Sequence, residues 1–296
     1  MSSPIAFVTG ATGTQGGAVA ARLIHNGWRV HSLLRSPGSP EARRLGERGV
    51  KFFRGDYYDT EALQQALDGC AAVFIALASR SLEDPAIEPR QTRLILSYAK
   101  DAGVKTIVCS TILGVGDYKN SNSAAGSHNA PFHKFLSAKE DTEAVVRAGG
   151  FESYTLLRPG FLMANFLGTK ALRYPELQDK GEWTTTFSPG FRVPMVDEAD
   201  IASFAVAAIE DPDAYNHRNI AIAGDILTPD QMMATLSLAT GREMKPVYVS
   251  QDAGVTQIPL AMEEFALGVA PTPVVRKDAI SLGTFQQYLQ REAGTV

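Results

Sequence analysis

Seven residues close to the N-terminus, Gly10-Ala11-Thr12-Gly13-Thr14-Gln15-Gly16, leave this chain few folds to choose from. They follow a compact apolar run, Ile5-Ala6-Phe7-Val8, of the kind that forms a buried parallel strand. They precede Gly17 to Asn26, where Val19 and Leu23, like Ala20 and Ile24, fall on one helical face, and Gly27 follows where a left-handed cap costs least. Strand, glycine turn and helix in that order open a βαβ unit. Glycines at such a turn permit its tightness, let backbone N–H groups approach a pyrophosphate and let the helix pack on the strand. The helix N-terminus adds roughly half a positive charge.

The same alternation continues. Strands are expected at Arg29 to Leu34, Val50 to Phe53, Ala72 to Leu77, Val104 to Cys109 and Tyr154 to Leu157. Helices are expected at Glu41 to Arg48, Thr60 to Leu67, Pro89 to Lys100 and Phe132 to Ala148. Strands alternating with helices of this length imply parallel pairing through right-handed crossovers. The fold class is therefore α/β, a doubly wound parallel sheet of Rossmann type with a smaller C-terminal substrate lobe. The division expected is residues 1–160 for the dinucleotide-binding domain and 161–296 mainly for the lobe, with about 195–224 returning to the first domain. Ile112 to Pro131, rich in Gly, Ser and Asn, breaks the rhythm and reads as a lid or a disordered segment. Beyond it the pattern weakens. Phe161 to Leu172, Ile201 to Ile209, Glu263-Glu264 and Lys277 to Arg291 read as helical, as does a segment starting at Thr228-Pro229. Asn219 to Ala223 and Val247 to Ser250 read as strands, and Pro189 to Pro194 and Pro271-Thr272-Pro273 as turns.

Composition narrows the function classes. A formal net charge of -4 argues against nucleic acid as the main partner, because duplex binding needs clustered Lys and Arg. Two cysteines, Cys70 and Cys109, exclude a disulfide framework by count and lack metal-ligand spacing, so buried thiols in a reducing compartment and no metal are expected. No apolar stretch approaches the ~20 residues that span a bilayer, and no signal peptide is legible. The expectation is a soluble cytoplasmic protein with no membrane partner and a small-molecule substrate.

The end of the second strand bears on which dinucleotide is bound. NAD sites place an acidic residue there for the ribose 2′-hydroxyl. Arg29 to Pro40 contains no Asp or Glu, and Leu34 is followed by Arg35-Ser36. A guanidinium there can bind a 2′-phosphate and stack on adenine, or simply be a solvated Arg at a strand end. One charge-assisted hydrogen bond, about 1.5–3 kcal/mol, favours NADP(H) by roughly ten- to a hundredfold or more. Gly55-Asp56-Tyr57, ending the third strand, is placed to contact the adenine.

Gly10 to Gly17, Gly55-Asp56, Lys139-Glu140-Asp141-Thr142-Glu143 and Val196-Asp197-Glu198-Ala199-Asp200-Ile201 together resemble the NmrA-like family of atypical short-chain dehydrogenases/reductases, from about Ile5 to Gly241. The resemblance implies an extended Rossmann domain, NADP(H) as cofactor and a lobe closing over the nicotinamide end. Residue by residue, it assigns Arg35, Arg90 and Lys139 to the cofactor, beside Gly10 to Gly16, Ser36, Asp56, Tyr57 and Ser110, which their places at the strand ends put there. Leu77, Ala78 and Ser79 match the segment passing it after the fourth strand, and Leu162, Met163, Ala164 and Asn165 the stretch covering the nicotinamide. Short-chain dehydrogenases carry a Tyr four residues before their Lys, one helical turn away, as proton donor. Here that position is Phe135, so the donor must come from Lys139, from Thr111 at the strand end, from a lid residue such as Tyr118 or His128, or from water. His133 falls on another side of its helix. Lys139 also admits a plainer reading, as part of a solvated face among Glu140, Asp141 and Glu143.

Two classes of function fit. One is an NADPH-dependent reductase of a small, largely apolar carbonyl, imine or enone, approached through Phe161, Met163 and Phe166, which can equally be core. Relatives that the chain resembles include reductases of secondary metabolism. The other is a non-catalytic NADP(H) sensor that changes partners, which Phe135 suits. An NADP(H)-binding enzyme of cyclisation or another step beyond simple reduction is a third. Fold alone does not choose among them.

Overall fold

Strand β1 (Ile5–Val8) lies in the middle of a seven-stranded sheet and is flanked by β2 (Arg29–Leu34) and β4 (Ala72–Ile75). In this computed structural model the described residues are 3–36, 38–77, 84, 86–116, 131–249 and 280–292. With β3 (Val50–Arg54), β5 (Thr106–Ser110), β6 (Ser153–Pro159) and a later strand, β10 (Arg218–Ile222), the order is β10-β6-β5-β4-β1-β2-β3. Neighbours from β3 through to β6 pair in parallel. This is the doubly wound Rossmann sheet. Its strand order reverses between β1 and β4, and ligands of such sheets bind beyond the carboxyl ends of the strands at that reversal.

The crossovers are α1 (Thr14–His25), α2 (Pro40–Glu47), α3 (Thr60–Leu67), α4 (Ile87–Asp101) and α5 (Pro131–Arg147). Ser39 and Asp59 cap α2 and α3 by accepting from Ala42 and Ala62 N–H groups. Phe7, Leu63, Leu67, Val73, Ile75, Ile95, Ile107 and Leu156 are fully buried in one core cluster. Each such side chain contributes about 1.5–3 kcal/mol. Helix α1 begins at Thr14, inside the glycine segment, where the sequence pattern suggested Gly17. Strand β4 ends at Ile75, short of Leu77, and α4 starts at Ile87, two residues before Pro89.

Two compact units emerge: residues 1–112, 137–158 and 201–220, and residues 113–136, 159–200 and 221–296. In the second, the expected helix Phe161 to Leu172 is instead a strand, β7 (Phe161–Leu162), a 3₁₀ turn (Met163–Phe166) and a short helix, α6 (Gly168–Ala171). The reason is a partner distant in sequence. Strand β9 (Val193–Val196) pairs with β7 in parallel and with β11 (Asp225–Leu227) antiparallel. Pro194, which made residues 189–194 read as a turn, sits inside β9. A Cβ on Gly160 would come within 2.4 Å of its carbonyl oxygen, so this crossing needs a glycine.

Helices α7 (Pro175–Lys180), α8 (Glu198–Glu210), α9 (Pro212–Tyr215) and α10 (Pro229–Thr240), and strands β8 (Glu182–Thr185) and β12 (Lys245–Tyr248), complete the described elements with a C-terminal helix, Phe285–Arg291. Thr228 caps α10 in a reciprocal box with Gln231, Pro229 following, as the Thr-Pro pair suggested. An aromatic cluster holds the second unit: Trp183 meets Phe166 edge-on at 5.1 Å and Phe187 stacks on Phe191 at 5.3 Å. Arg291 grips Asp197 with two hydrogen bonds of 2.5 and 3.0 Å, tying the last helix to the start of α8. Among the described residues, no helix is long and apolar enough to cross a membrane, and no group of His, Cys, Asp and Glu has metal-binding geometry. The expected segments at 263–264 and 271–273, and residues 117–130 of the loop, lie outside the described residues.

Candidate cofactor site

The glycine turn closes on its own backbone and leads directly into α1. Gly10 has φ +60, a left-handed conformation that glycine adopts without penalty. Gly13 N–H donates to Gly10 carbonyl at 2.8 Å, closing the turn, and Gly13 is also the N-cap of α1. That cap makes no side-chain hydrogen bond, and the first turn of α1 holds no acidic residue. The leading amides of a helix have no intrahelical acceptor, so an uncapped start is an anion site in waiting. Gly16 answers a different demand. A Cβ there would lie 2.3 Å from Gly10 O and 2.4 Å from Thr9 O, so only glycine lets α1 approach β1 this closely.

Three side chains brace the turn. Tyr57, expected at the adenine, accepts from Gly10 N–H at 3.0 Å and packs against the core, where burial pushes its phenol up from the ordinary value. Its hydroxyl also meets the Thr9 side chain, whose Oγ1 accepts from Ala76 N–H at 2.8 Å, just past β4. Ser110 donates to Gln15 Oε1 at 2.6 Å, so the expected cofactor ligand Ser110 is spent on orienting another residue of the loop. Ala11 is buried, whereas Thr12 and Gly13 are exposed and Thr14 half-buried. At the neighbouring strand ends Arg35, Ser36 and Asp56 are exposed, and Asp56 accepts from Tyr58 N–H at 2.8 Å.

Lys139 does not belong to a solvated face. Its ammonium is buried and donates to Glu88 Oε2 at 2.7 Å and to Leu77 carbonyl at 3.0 Å. The expected candidate Thr111 is buried too, with its hydroxyl donating to Glu143 Oε1 at 2.8 Å. Glu143, fully buried, also receives Arg158 through Nε at 2.9 Å and Nη2 at 2.7 Å, and Arg147 at 2.8 Å. The Thr111 proton is therefore committed to a carboxylate already neutralised by two guanidiniums, which removes it as a proton source. Next to this network, burial pushes the Cys109 thiol well above its usual range, and burial raises Cys70 to about 12, so neither is a reactive thiolate.

Other expectations are corrected. Arg90 is exposed, pairs with Asp84, meets the Tyr58 side chain and lines a surface groove between α4 and α5. Met163 and Phe166, expected to meet substrate, are core residues: Met163 is fully buried, and Phe166 packs on Tyr174, Trp183 and Phe285. Phe161, Leu162 and Asn165 remain half-buried. The Leu77 side chain lies in the core and offers only its backbone. Ala78, Ser79, Tyr118 and His128 lie outside the described residues. Sequence reasoning missed Glu88 entirely. The signal was there: with Thr92, Ile95 and Ala99 it falls on the buried stripe of α4, where a carboxylate needs a partner.

The NmrA-like family profile matches residues 1–269. The chain belongs to the NmrA-like family. Among curated relatives, an NAD(P)H azoreductase of Xenophilus azovorans is 29% identical over 247 residues, covering 82% of this chain and 77% of that one. The (4-alkanoyl-5-oxo-2,5-dihydrofuran-3-yl)methyl phosphate reductase of Streptomyces griseus is 30% identical over 254 residues, with 85% and 79% covered. Among solved structures, NmrA, a negative transcriptional regulator crystallised with NAD, superposes with a TM-score of 0.76 at 21% identity, covering 98% and 95%.

Proposed function

We propose that this family member is an NADP(H)-dependent reductase of a small, largely apolar acceptor: a carbonyl, imine, enone or similarly conjugated group. The observation that carries the reading is the uncapped start of α1 under a glycine turn that no Cβ at position 16 could enter, with an exposed Arg35 at the end of β2. That donor set suits a dinucleotide: the backbone amides leading into α1 for the pyrophosphate and Arg35 with Ser36 for the 2′-phosphate. Leu162 and Asn165 are assigned to the nicotinamide end, and half-buried Phe161 to the substrate. Both curated relatives named above are reductases, which supports the enzyme class.

NADPH, when bound, supplies the hydride. The chain's own part is to bind, orient and see that the product gains a proton. Phe135 has no proton to give and Thr111 has committed its own, so Lys139, water or a group outside the described residues, such as Tyr118 or His128, delivers it. A cytoplasmic location and a substrate from secondary metabolism belong to this proposal. Phe135 also favours a second reading, a non-catalytic NADP(H) sensor. The test of the cofactor assignment is Arg35→Glu. NADPH affinity is expected to fall by at least about tenfold, the loss of a hydrogen bond between charged groups, with NADH affinity nearly unchanged. Equal losses for both cofactors would remove Arg35 from the 2′-phosphate.

A further inference from the structure

The ion pair of Lys139 with Glu88 joins α5 to α4 with side-chain exposures of only 7% and 2%. As helix packing alone it is a poor choice, because removing two charges from water costs several kcal/mol per ion and apolar residues of similar size serve as well or better. Its geometry suggests another use. The third member is the Leu77 carbonyl, which accepts from the ammonium at 3.0 Å. One residue earlier, Ala76 N–H is held by Thr9 Oγ1 at 2.8 Å, and Thr9 directly precedes Gly10 of the turn. The backbone at 76–77, just past β4, is thus gripped from both sides: by Thr9 on the β1 side and by Lys139 on the α5 side. These two residues border the place where the strand order reverses, beside the uncapped start of α1.

We infer that Glu88 is a positioning residue of the cofactor site. Its carboxylate holds the Lys139 ammonium at the Leu77 carbonyl, and so sets the edge of β4 that the dinucleotide lies against. A neutral residue at 88 removes the carboxylate that holds the ammonium in place. The ammonium then leaves the Leu77 carbonyl, which loses its donor. This inference rests on the dinucleotide reading above.

The test measures NADPH affinity at a temperature where every variant is folded, together with Tm, for wild type, Glu88→Asp and Glu88→Gln. The expected order of Kd is wild type tightest, Asp intermediate and Gln weakest, with Gln weaker than wild type by about tenfold, the loss of one hydrogen bond to a charged group. A pair that only stabilises the fold would lower Tm in Glu88→Gln and leave Kd where it was, and that result overturns the inference. Should Glu88→Gln not fold, Glu88→Asp decides: it keeps the charge but withdraws it by one methylene, and an unchanged Kd in that variant overturns the inference equally. Failure of the wild type to bind NADPH at all would instead refute the dinucleotide reading itself, before any variant is compared.

Discussion

Substituting alanine for Gly16 asks whether the glycine turn is shaped by close approach or only by backbone freedom. The added methyl would meet three backbone atoms, Gly10 O at 2.3 Å, Thr9 O at 2.4 Å and Gly10 C at 2.6 Å. Side chains can rotate away from such contacts. Carbonyls of a buried strand end cannot, so α1 must slide off β1 or the turn must open. Overpacking costs about 1–3 kcal/mol where side chains absorb it, and a clash with fixed backbone belongs at the upper end or beyond. Three kcal/mol corresponds to a Tm fall of roughly 6–12 °C for a domain of 150–250 residues. Gly13→Ala is the internal comparison: its nearest contact is Gly10 O at 3.2 Å, which a shift of a few tenths of an ångström relieves. Gly27→Ala is the other, with open space around it but φ +85, so only left-handed strain of about 1–2 kcal/mol applies. Thermal unfolding of the three variants, with NADPH titration of each, reads both consequences. The expected order of destabilisation puts Gly16→Ala first, with the largest loss of NADPH affinity. Wild-type stability in Gly16→Ala would refute the close-approach argument.

Removing a partner from the buried carboxylate should be severe: Glu143→Gln leaves Arg158 and Arg147 without their counter-charge and is expected to cost about 3–5 kcal/mol in urea unfolding. His31 Nδ1–H donates to Ala66 O, 2.9 Å away, and burial holds its imidazole below the ordinary 6.5. The unfolded chain therefore takes up this proton first, so stability is full above 6.5 and declines as pH falls from there toward the depressed folded value. His31→Gln should flatten that limb in denaturation midpoints taken across mildly acidic pH. Asp200 works in the opposite direction. Burial lifts it to about 6 from 3.8, so its favourable contribution is complete below 3.8 and lost as pH rises through about 6. Asp200→Asn should gain stability relative to wild type at neutral pH and lose that advantage in acid, read by the same unfolding curves.

The first half of the chain was legible because its elements carry their own signals. Apolar runs such as Phe7-Val8, shortly before Gly10, and Val73-Phe74-Ile75, shortly after Gly69, stand out, and each helix has a recognisable period or cap. The glycine turn could be read for the same reason: its chemistry is local. Elements decided by distant partners could not. Two-residue β7 is too short to show a period, and β9 carries a proline that argues against a strand until β7 and β11 are seen beside it. The site divides likewise. Gly10, Gly13 and Gly16 announce themselves, whereas the roles of Lys139, Thr111 and Ser110 depend on Glu88, Glu143 and Gln15, which lie 51, 32 and 95 residues away in sequence. Met163 and Phe166 were ambiguous for a related reason, since an apolar residue that lines a pocket and one that fills a core look the same in a sequence.

The most direct test of the central claim is a titration of the purified protein with NADPH and NADH, followed by the absorbance of bound NADPH as small enones, imines, quinones and azo compounds are added in turn. The account predicts tighter binding of NADPH than of NADH and consumption of NADPH with at least one acceptor. Equal binding of the two cofactors would contradict the reading of Arg35, and tight binding with no consumption across acceptors of every class would contradict the reductase in favour of the sensor.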